Sequence, residues 1–291
     1  MCANQRSVRD RVTPDMSEIV KLTARDGELI SHVALHGAVT CKQLVHLGLF
    51  GSTSRANRRL RSLFDGHYLR RTFLAGGPYG AEAVYLLGPA GCPIVVRETG
   101  LDVEDVARWS TRQPVRTYLE HHLATMSVRL AIRCDAARMG ISIKTYLAEA
   151  LCRHEYTVGS HGRESRRIIK PDGFFHAEFQ GVDLAVFLEV DRGCVSSKQL
   201  SRTFSRYRSY LTDGAFGDCY EQPNFQVLLI TTAGPRRIEN LKRLTKSDLE
   251  PLIRFTTMEA VEQHGFFGPI WGRCGVAQCE TLFFDRSPEV V

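Results

Sequence analysis

The sequence has no apolar run long enough to cross a bilayer, and its start, Met1-Cys2-Ala3-Asn4-Gln5-Arg6, lacks the apolar centre of a secretory signal. A cytoplasmic protein with no membrane partner is therefore expected. There is no disulfide framework either, because the nine cysteines are odd in number and scattered, as suits free thiols in a reducing compartment. The one close pair, Cys274 and Cys279, has no second pair at zinc spacing. No G-x-x-x-x-G-K-[ST] loop is present, so neither a nucleotide nor an organic cofactor is expected. A Ser, His, Asp order suited to hydrolase chemistry is missing, and His121-His122 is too short for the histidine cluster of a relaxase. Internal repeats and low-complexity tracts are also absent.

At 291 residues, 43% hydrophobic and 24% charged, the chain suits a globular protein of two domains with ample core in each. Its net charge of +6 is localised. Residues 1–75 hold twelve Lys and Arg, three of them Arg6, Arg9 and Arg11, against six acids, so the remainder is neutral. The excess would draw a polyanion to the first domain.

That domain parses as three helices and a hairpin. Thr23-Ala24-Arg25-Asp26 resembles a capping box, and Leu22, Leu29, Ile30 and Val33 form a stripe that Gly37 ends. Thr40-Cys41-Lys42-Gln43 repeats the signal for a short second helix. On a third, about Thr53 to Phe64, Ala56, Leu60, Leu63 and Phe64 share one face. Arg55, Arg58 and Ser62 then lie opposite, with Arg59 and Arg61 on the flanks. Strands at Tyr68–Leu74, which carries Arg70 and Arg71, and at Ala83–Leu87 follow, joined by a loop of turn formers from Ala75 to Gly80. This order is that of a winged helix-turn-helix, whose third helix enters the major groove of double-stranded DNA while the wing meets the backbone. Candidate DNA contacts are Arg55, Asn57, Arg58, Arg59, Arg61, Ser62, Arg70 and Arg71. The plain alternative is a small helical domain with a solvated arginine face.

Expected boundaries are residues 1–95 for this domain, 96–115 for a linker and 116–291 for the second domain. Gly88-Pro89, Gly91, Pro93 and Pro114 punctuate a connection with a short acidic helix. From Arg116 to Arg138 a helix carries Leu119, Leu123, Met126, Leu130 and Cys134 on one face, with His122 beside them as a hydrogen-bonded core residue. A strand from Ile141 to Leu147 ends near Glu149, and Gly159–Arg167 is a polar stretch. Two strands, Phe174–Phe179 and Leu184–Leu188, come next, then a helix Ser197–Leu211 and a buried strand Phe225–Thr232. A helix Arg236–Leu244, a strand Ile253–Phe255 and a helix Thr257–His264 complete the domain.

The chemistry concentrates at Lys170-Pro171-Asp172-Gly173 and at Leu188-Glu189-Val190-Asp191-Arg192-Gly193. The continuous apolar run before Glu189 reads as a central strand, so Glu189 and Asp191 emerge on one side of it and Asp172 can meet them. The pattern resembles the PD-(D/E)xK, or restriction-endonuclease-like, nuclease core. Asp172 matches its Asp and Glu189 its second acid, while Asp191 occupies the lysine position. The element order α, β, β, β, α, β, α, β agrees, making the expected fold an α+β winged helix followed by a restriction-endonuclease-like α/β domain. In such sites Mg²⁺ or Mn²⁺ stabilises phosphate charge and lowers the pKa of the attacking water. Asp172, Glu189 and Asp191 are the candidate ligands, with Lys170 or Lys198 as the displaced cation. Against this, Asp172 caps a turn and Asp191 pairs with Arg192 or a helix arginine.

From about Leu22 to Trp271 the chain resembles the replication-relaxation family of plasmids and other mobile elements. Beyond the winged-helix start, the resemblance rests on Leu119-Glu120-His121-His122, Pro171-Asp172-Gly173, the Leu188–Gly193 run, Arg206-Tyr207 and Gly268-Pro269-Ile270-Trp271. It implies action in plasmid replication or in DNA relaxation beside a relaxase or replication protein. Two function classes stay open: a DNA-binding regulator or accessory protein, expected as a homodimer, whose nuclease-like domain is inactive; and a metal-dependent DNA endonuclease or nickase.

Overall fold

The computed structural model describes residues 20–77, 80–160, 163–245 and 249–283. Arg6, Arg9 and Arg11, together with Pro78-Tyr79 at the tip of the expected wing, lie outside them. The chain divides into two compact units, Met1–Leu130 and Ala131–Val291.

In the first unit, helix α1 (Ala24–Leu35) begins at the capping box, where the Thr23 backbone N–H and hydroxyl donate to Asp26 Oδ2 at 2.7 and 2.6 Å. After a two-residue strand β1 (Val39–Thr40), helix α2 (Cys41–His46) starts the same way, with Thr40 N–H donating to Gln43 at 3.0 Å. Helix α3 (Thr53–Asp65) buries Ala56, Leu60, Leu63 and Phe64, the stripe that the periodicity predicts. Strands β2 (Leu69–Gly77) and β3 (Gly80–Leu87) pair antiparallel, and β1 joins the other edge of β3. Two residues carry no readable periodicity, so β1 is defined only by its pairing with Val84 and Tyr85.

Residues 88–115 are more than a connection. Helix α4 (Cys92–Thr99) and helix α5 (Val103–Thr111) put Ile94, Val95 and Val106 into the core that holds Leu29, Ile30, Val33 and Leu60. The Gly88 and Gly91 signals mark close backbone approach: a Cβ on Gly88 would stand 2.3 Å from the His67 carbonyl oxygen, and one on Gly91 2.6 Å from that of Tyr68. Helix α6 (Arg116–Met139) adds Met126 and Leu130 to the same core. Of its expected stripe Cys134 is exposed, whereas Ile132 and Ala136, past Leu130 on the helix, are buried. His122 is buried, with the Tyr118 ring edge-on at 4.1 Å.

The second unit is built on strand β4 (Ser142–Ala148), a hairpin of β5 (His154–Ser160) and β6 (Arg163–Ile169), strand β7 (Gly173–Phe179) and strand β8 (Val182–Asp191). Helices α7 (Ser197–Thr212) and α8 (Ala215–Tyr220), strand β9 (Gln226–Thr231), helix α9 (Pro235–Leu244), strand β10 (Ile253–Thr257) and helix α10 (Met258–His264) follow. The mixed five-stranded sheet has the order β10-β9-β8-β7-β4, with β8, β9 and β10 mutually parallel and β7 antiparallel to both of its neighbours, β8 and β4. Gln180 and Gly181, at φ 51° and 78°, make the two-residue turn between β7 and β8. On one face, the Phe187 ring lies between 5.0 and 6.0 Å from those of Phe174, Tyr207, Tyr210, Phe216, Tyr220 and Phe225. The polar stretch Gly159–Arg167 includes the end of β5 and most of β6, which pair as a two-stranded sheet that its arginines do not announce. Among the described residues no helix is long and apolar enough to cross a membrane.

Candidate nucleic-acid face and carboxylate site

On α3, Ser52 caps the helix by accepting from Arg55 N–H at 3.4 Å, and the apolar stripe turns the opposite face to solvent. Arg55, Asn57 and Arg58 are exposed there, and among the described residues no acid pairs with either arginine. Ser62 is half-buried. The remaining candidates are held internally. Arg59 Nε donates to the buried Asp26 at 2.7 Å, and its Nη2 to the Lys21 carbonyl at 2.8 Å. Arg61 pairs with Asp65 one turn on, at 2.7 Å. Arg70 donates to the carbonyls of Leu87, Trp109 and Arg112 at 3.1, 3.2 and 2.9 Å. Arg71 lies over the Phe64 ring, 4.3 Å from its centre. Of the candidates on α3, Arg55, Asn57, Arg58 and Arg61 are exposed, and of the three arginines only Arg61 has an acid partner among the described residues.

In the second unit the acids sit where β7, β8 and the end of β4 come together. Asp172 N–H donates to the Leu188 carbonyl at 3.0 Å, and its Oδ2 accepts from Val190 N–H at 2.7 Å. These two bonds fix Asp172 beside β8. Ala148 pairs with Gly173, so the antiparallel register brings Glu149 alongside Asp172, and their carboxylate oxygens come within 4.8 Å. From the sequence, Glu149 is placed at the end of this strand but not among the candidate ligands; the register of β4 on β7 is the signal that sets it beside Asp172. Lys170 Nζ stands 2.8 Å from Glu149.

Glu189 lies on the α7 face of β8, where the Tyr207 hydroxyl donates to it at 2.5 Å. Burial, then the charge of Asp172, push its carboxyl well above the usual range, with Glu149 adding to the rise and Tyr207 and Arg206 opposing it. The nearby Cys152 thiol is also pushed up, by burial first and then by Asp172, Glu149 and Glu189. Burial and the neighbouring Glu189 raise the Tyr207 phenol as well, keeping it a neutral donor.

Asp191 is on the same side of β8 as Glu189 but is not in the oxygen pair. Arg237 of α9 grips it bidentately, Nε to Oδ2 at 2.9 Å and Nη2 to Oδ1 at 3.0 Å, and Thr231 donates to Oδ2 at 3.0 Å. Its pairing with a helix arginine is thus met by Arg237, and Arg192 is not the partner on those bonds. Lys198 is exposed in the first turn of α7 and joins no ion pair among the described residues.

Glu149 and Asp172 supply hard oxygen donors. Opposite oxygens around octahedral Mg²⁺ are about 4.2 Å apart, so two oxygens within 4.8 Å of each other suit one Mg²⁺ or Mn²⁺. Such an ion would polarise a phosphate and lower the pKa of a bound water.

Fold and site define a mixed α+β protein: helices with a small sheet come first, and carboxylates at strand ends of a five-stranded sheet follow. Residues 30–222 match the family described as Replication-relaxation, and the chain belongs to that family. Among solved structures it is similar to the restriction endonuclease FokI, at 11% identity and a TM-score of 0.27, over 82% of this chain and 43% of that one. The chain thus spans less than half of that enzyme's length, and a likeness so distant assigns no function. No curated protein matches it.

Proposed function

We propose that this protein is a sequence-specific double-stranded DNA-binding factor of a mobile element, serving replication or DNA relaxation as a regulator or accessory protein. The observation that carries the reading is the outer face of α3, where Arg55 and Arg58 stand exposed beside Asn57 with no acid partner among the described residues. Arginine and asparagine are the side chains that read guanine and adenine edges in the major groove. The order α1, β1, α2, α3, β2, β3 supports a winged helix-turn-helix with α3 as recognition helix and β2-β3 as wing. The second unit is read as a restriction-endonuclease-like domain that binds a divalent cation through Glu149 and Asp172. A homodimer on a two-fold symmetric site, working beside a relaxase or replication protein, completes the reading.

The test is footprinting and anisotropy with the full chain on DNA from its own gene region. Arg55→Ala and Arg58→Ala should each cost about 1–3 kcal/mol and relax specificity at one position. Arg59→Ala should act through stability instead. Unchanged binding and footprint in the Arg55, Arg58 double variant would remove α3 as the reading element, and a monomer on DNA in sedimentation would remove the dimer.

One observation favours a second reading, a metal-dependent endonuclease: Lys170 brings an ammonium to the carboxylate pair, while Arg237 neutralises Asp191. Incubation of supercoiled plasmid with Mg²⁺ or Mn²⁺ separates the two. The binding-factor reading expects no turnover with Mg²⁺ and at most slow nicking with Mn²⁺. Efficient cutting that Asp172→Ala and Lys170→Ala both abolish would establish the enzyme.

A further inference from the structure

Helix α7 repeats a four-residue pattern: Ser197-Lys198, Ser201-Arg202, Ser205-Arg206, then Ser209. Residues four apart on an α-helix drift only about 40° per step, so the repeat stays on one side. The opposite side is apolar, with Leu200, Phe204, Tyr207 and Tyr210 buried against the sheet. Lys198, Arg202, Ser205 and Arg206 are exposed.

Two features separate this face from an ordinary solvated one. No acid occurs anywhere in α7, and among the described residues no ion pair engages Lys198, Arg202 or Arg206. Elsewhere in the second unit Arg138, Lys144, Arg153, Lys170 and Arg237 all have acid partners. Secondly, Lys198, Arg202 and Arg206 form successive like-charge pairs at i,i+4, an arrangement that destabilises a helix unless an anion offsets it. The inner face of the same helix delivers Tyr207 to Glu189 at 2.5 Å, and of the three cations Arg206 makes its charge felt at that carboxyl.

We propose that the outer face of α7 is a second contact surface for duplex DNA, with Lys198, Arg202 and Arg206 meeting backbone phosphates. Along the axis the cations follow one another at about 6 Å, and their long stems let each find a phosphate. Apart from the exposed Gln199 in the first turn, the repeat offers Lys, Arg and Ser, side chains that hold phosphates, so its contribution is independent of sequence. This proposal rests on the reading of the chain as a DNA-binding protein and gives the second unit its own share of the contact.

The experiment uses the full chain and a duplex of unrelated sequence, with affinity followed by anisotropy from about 50 to 200 mM salt. Each neutralised phosphate contributes about 0.9 to the slope of log affinity against log salt. The triple variant Lys198→Gln, Arg202→Gln, Arg206→Gln should lose about 2.7 of slope. Over that range, wild-type affinity then falls roughly 40-fold more than the variant's. A charge-keeping variant, Lys198→Arg with Arg202→Lys and Arg206→Lys, should retain the wild-type slope. If the triple variant does not fold, the three single variants, each expected to lose about 0.9, answer the same question. An unchanged slope in the glutamine variants overturns the proposal. If Arg55→Ala with Arg58→Ala still abolishes the footprint, the function proposed for α3 survives that failure. Conversely, loss of slope on α7 with no effect on α3 supports this surface and removes the recognition helix. A full chain that binds no duplex at low salt removes both.

Discussion

Asp26 is wholly buried, yet it accepts from Thr23 at the start of α1 and from Arg59 on α3. Burial pushes its carboxyl up, but the hydrogen bonds from Arg59 and Thr23 and the charge of Arg59 outweigh that and hold it below the usual range. A depressed carboxylate contributes stability above its unfolded value, near 3.8, and loses it as pH falls through the folded value. Asp26→Ala should cost about 3 kcal/mol, the lower end for a broken buried pair, because Arg59 keeps some exposure. It should also flatten the most acidic limb of the stability curve, as urea unfolding at a series of pH values would show. His36 acts earlier on the acid side. Burial first, then the charges of Arg129, His32 and His122, push its imidazole well below 6.5, so the folded state resists the proton that the unfolded chain accepts. Stability should therefore fall as pH drops through about 6.5, and His36→Gln should remove that part of the fall. A variant curve that keeps it would assign it to another group. Helical spacing put Arg59 on the flank of α3, but nothing local announced that an aspartate thirty-three positions earlier would hold it.

At the level of elements, long periodic segments were readable and register was not. α3, α6 and α7 lie close to their expected spans because each carries a stripe that only one element type can bury, whereas β8 runs from Val182 to Asp191, beyond the expected Leu184–Leu188, and takes in Glu189 and Asp191. The carboxylate site depends on register. Asp172 just precedes β7 and Glu189 lies inside β8, whereas Glu149 comes alongside Asp172 through the pairing of β4 with β7, and Asp191 is held by Arg237 on a later helix. This predicts a separation by calorimetry with Mn²⁺. Asp172→Ala and Glu149→Ala should abolish the binding heat, while Asp191→Asn should leave the affinity within about threefold. Asp191→Asn should instead lower the melting temperature, since it leaves the Arg237 guanidinium with a weakened partner in a largely buried position. Equal loss of metal binding in all three variants would return Asp191 to the ligand set.

For the whole molecule, the question is where the first unit ends. Composition placed a linker after residue 95, but the core that contains α1 and α3 also contains Val106 of α5 and Met126 and Leu130 of α6. Their exposures are 0%, 0% and 8%, so each is buried to nearly its full side-chain area. Such side chains contribute about 1.5–3 kcal/mol each when buried, together roughly 5–9 kcal/mol. That is comparable to the whole stability of a typical domain, about 5–15 kcal/mol. A chain ending at residue 95 should therefore lack a cooperative urea transition by circular dichroism and lose DNA binding along with its fold. A chain ending at Met139 keeps α5 and all of α6 and should unfold cooperatively. If the 95-residue chain nevertheless shows a steep transition and binds duplex DNA, then α4, α5 and α6 merely cover a core that is already self-sufficient, and the compositional boundary is the physical one.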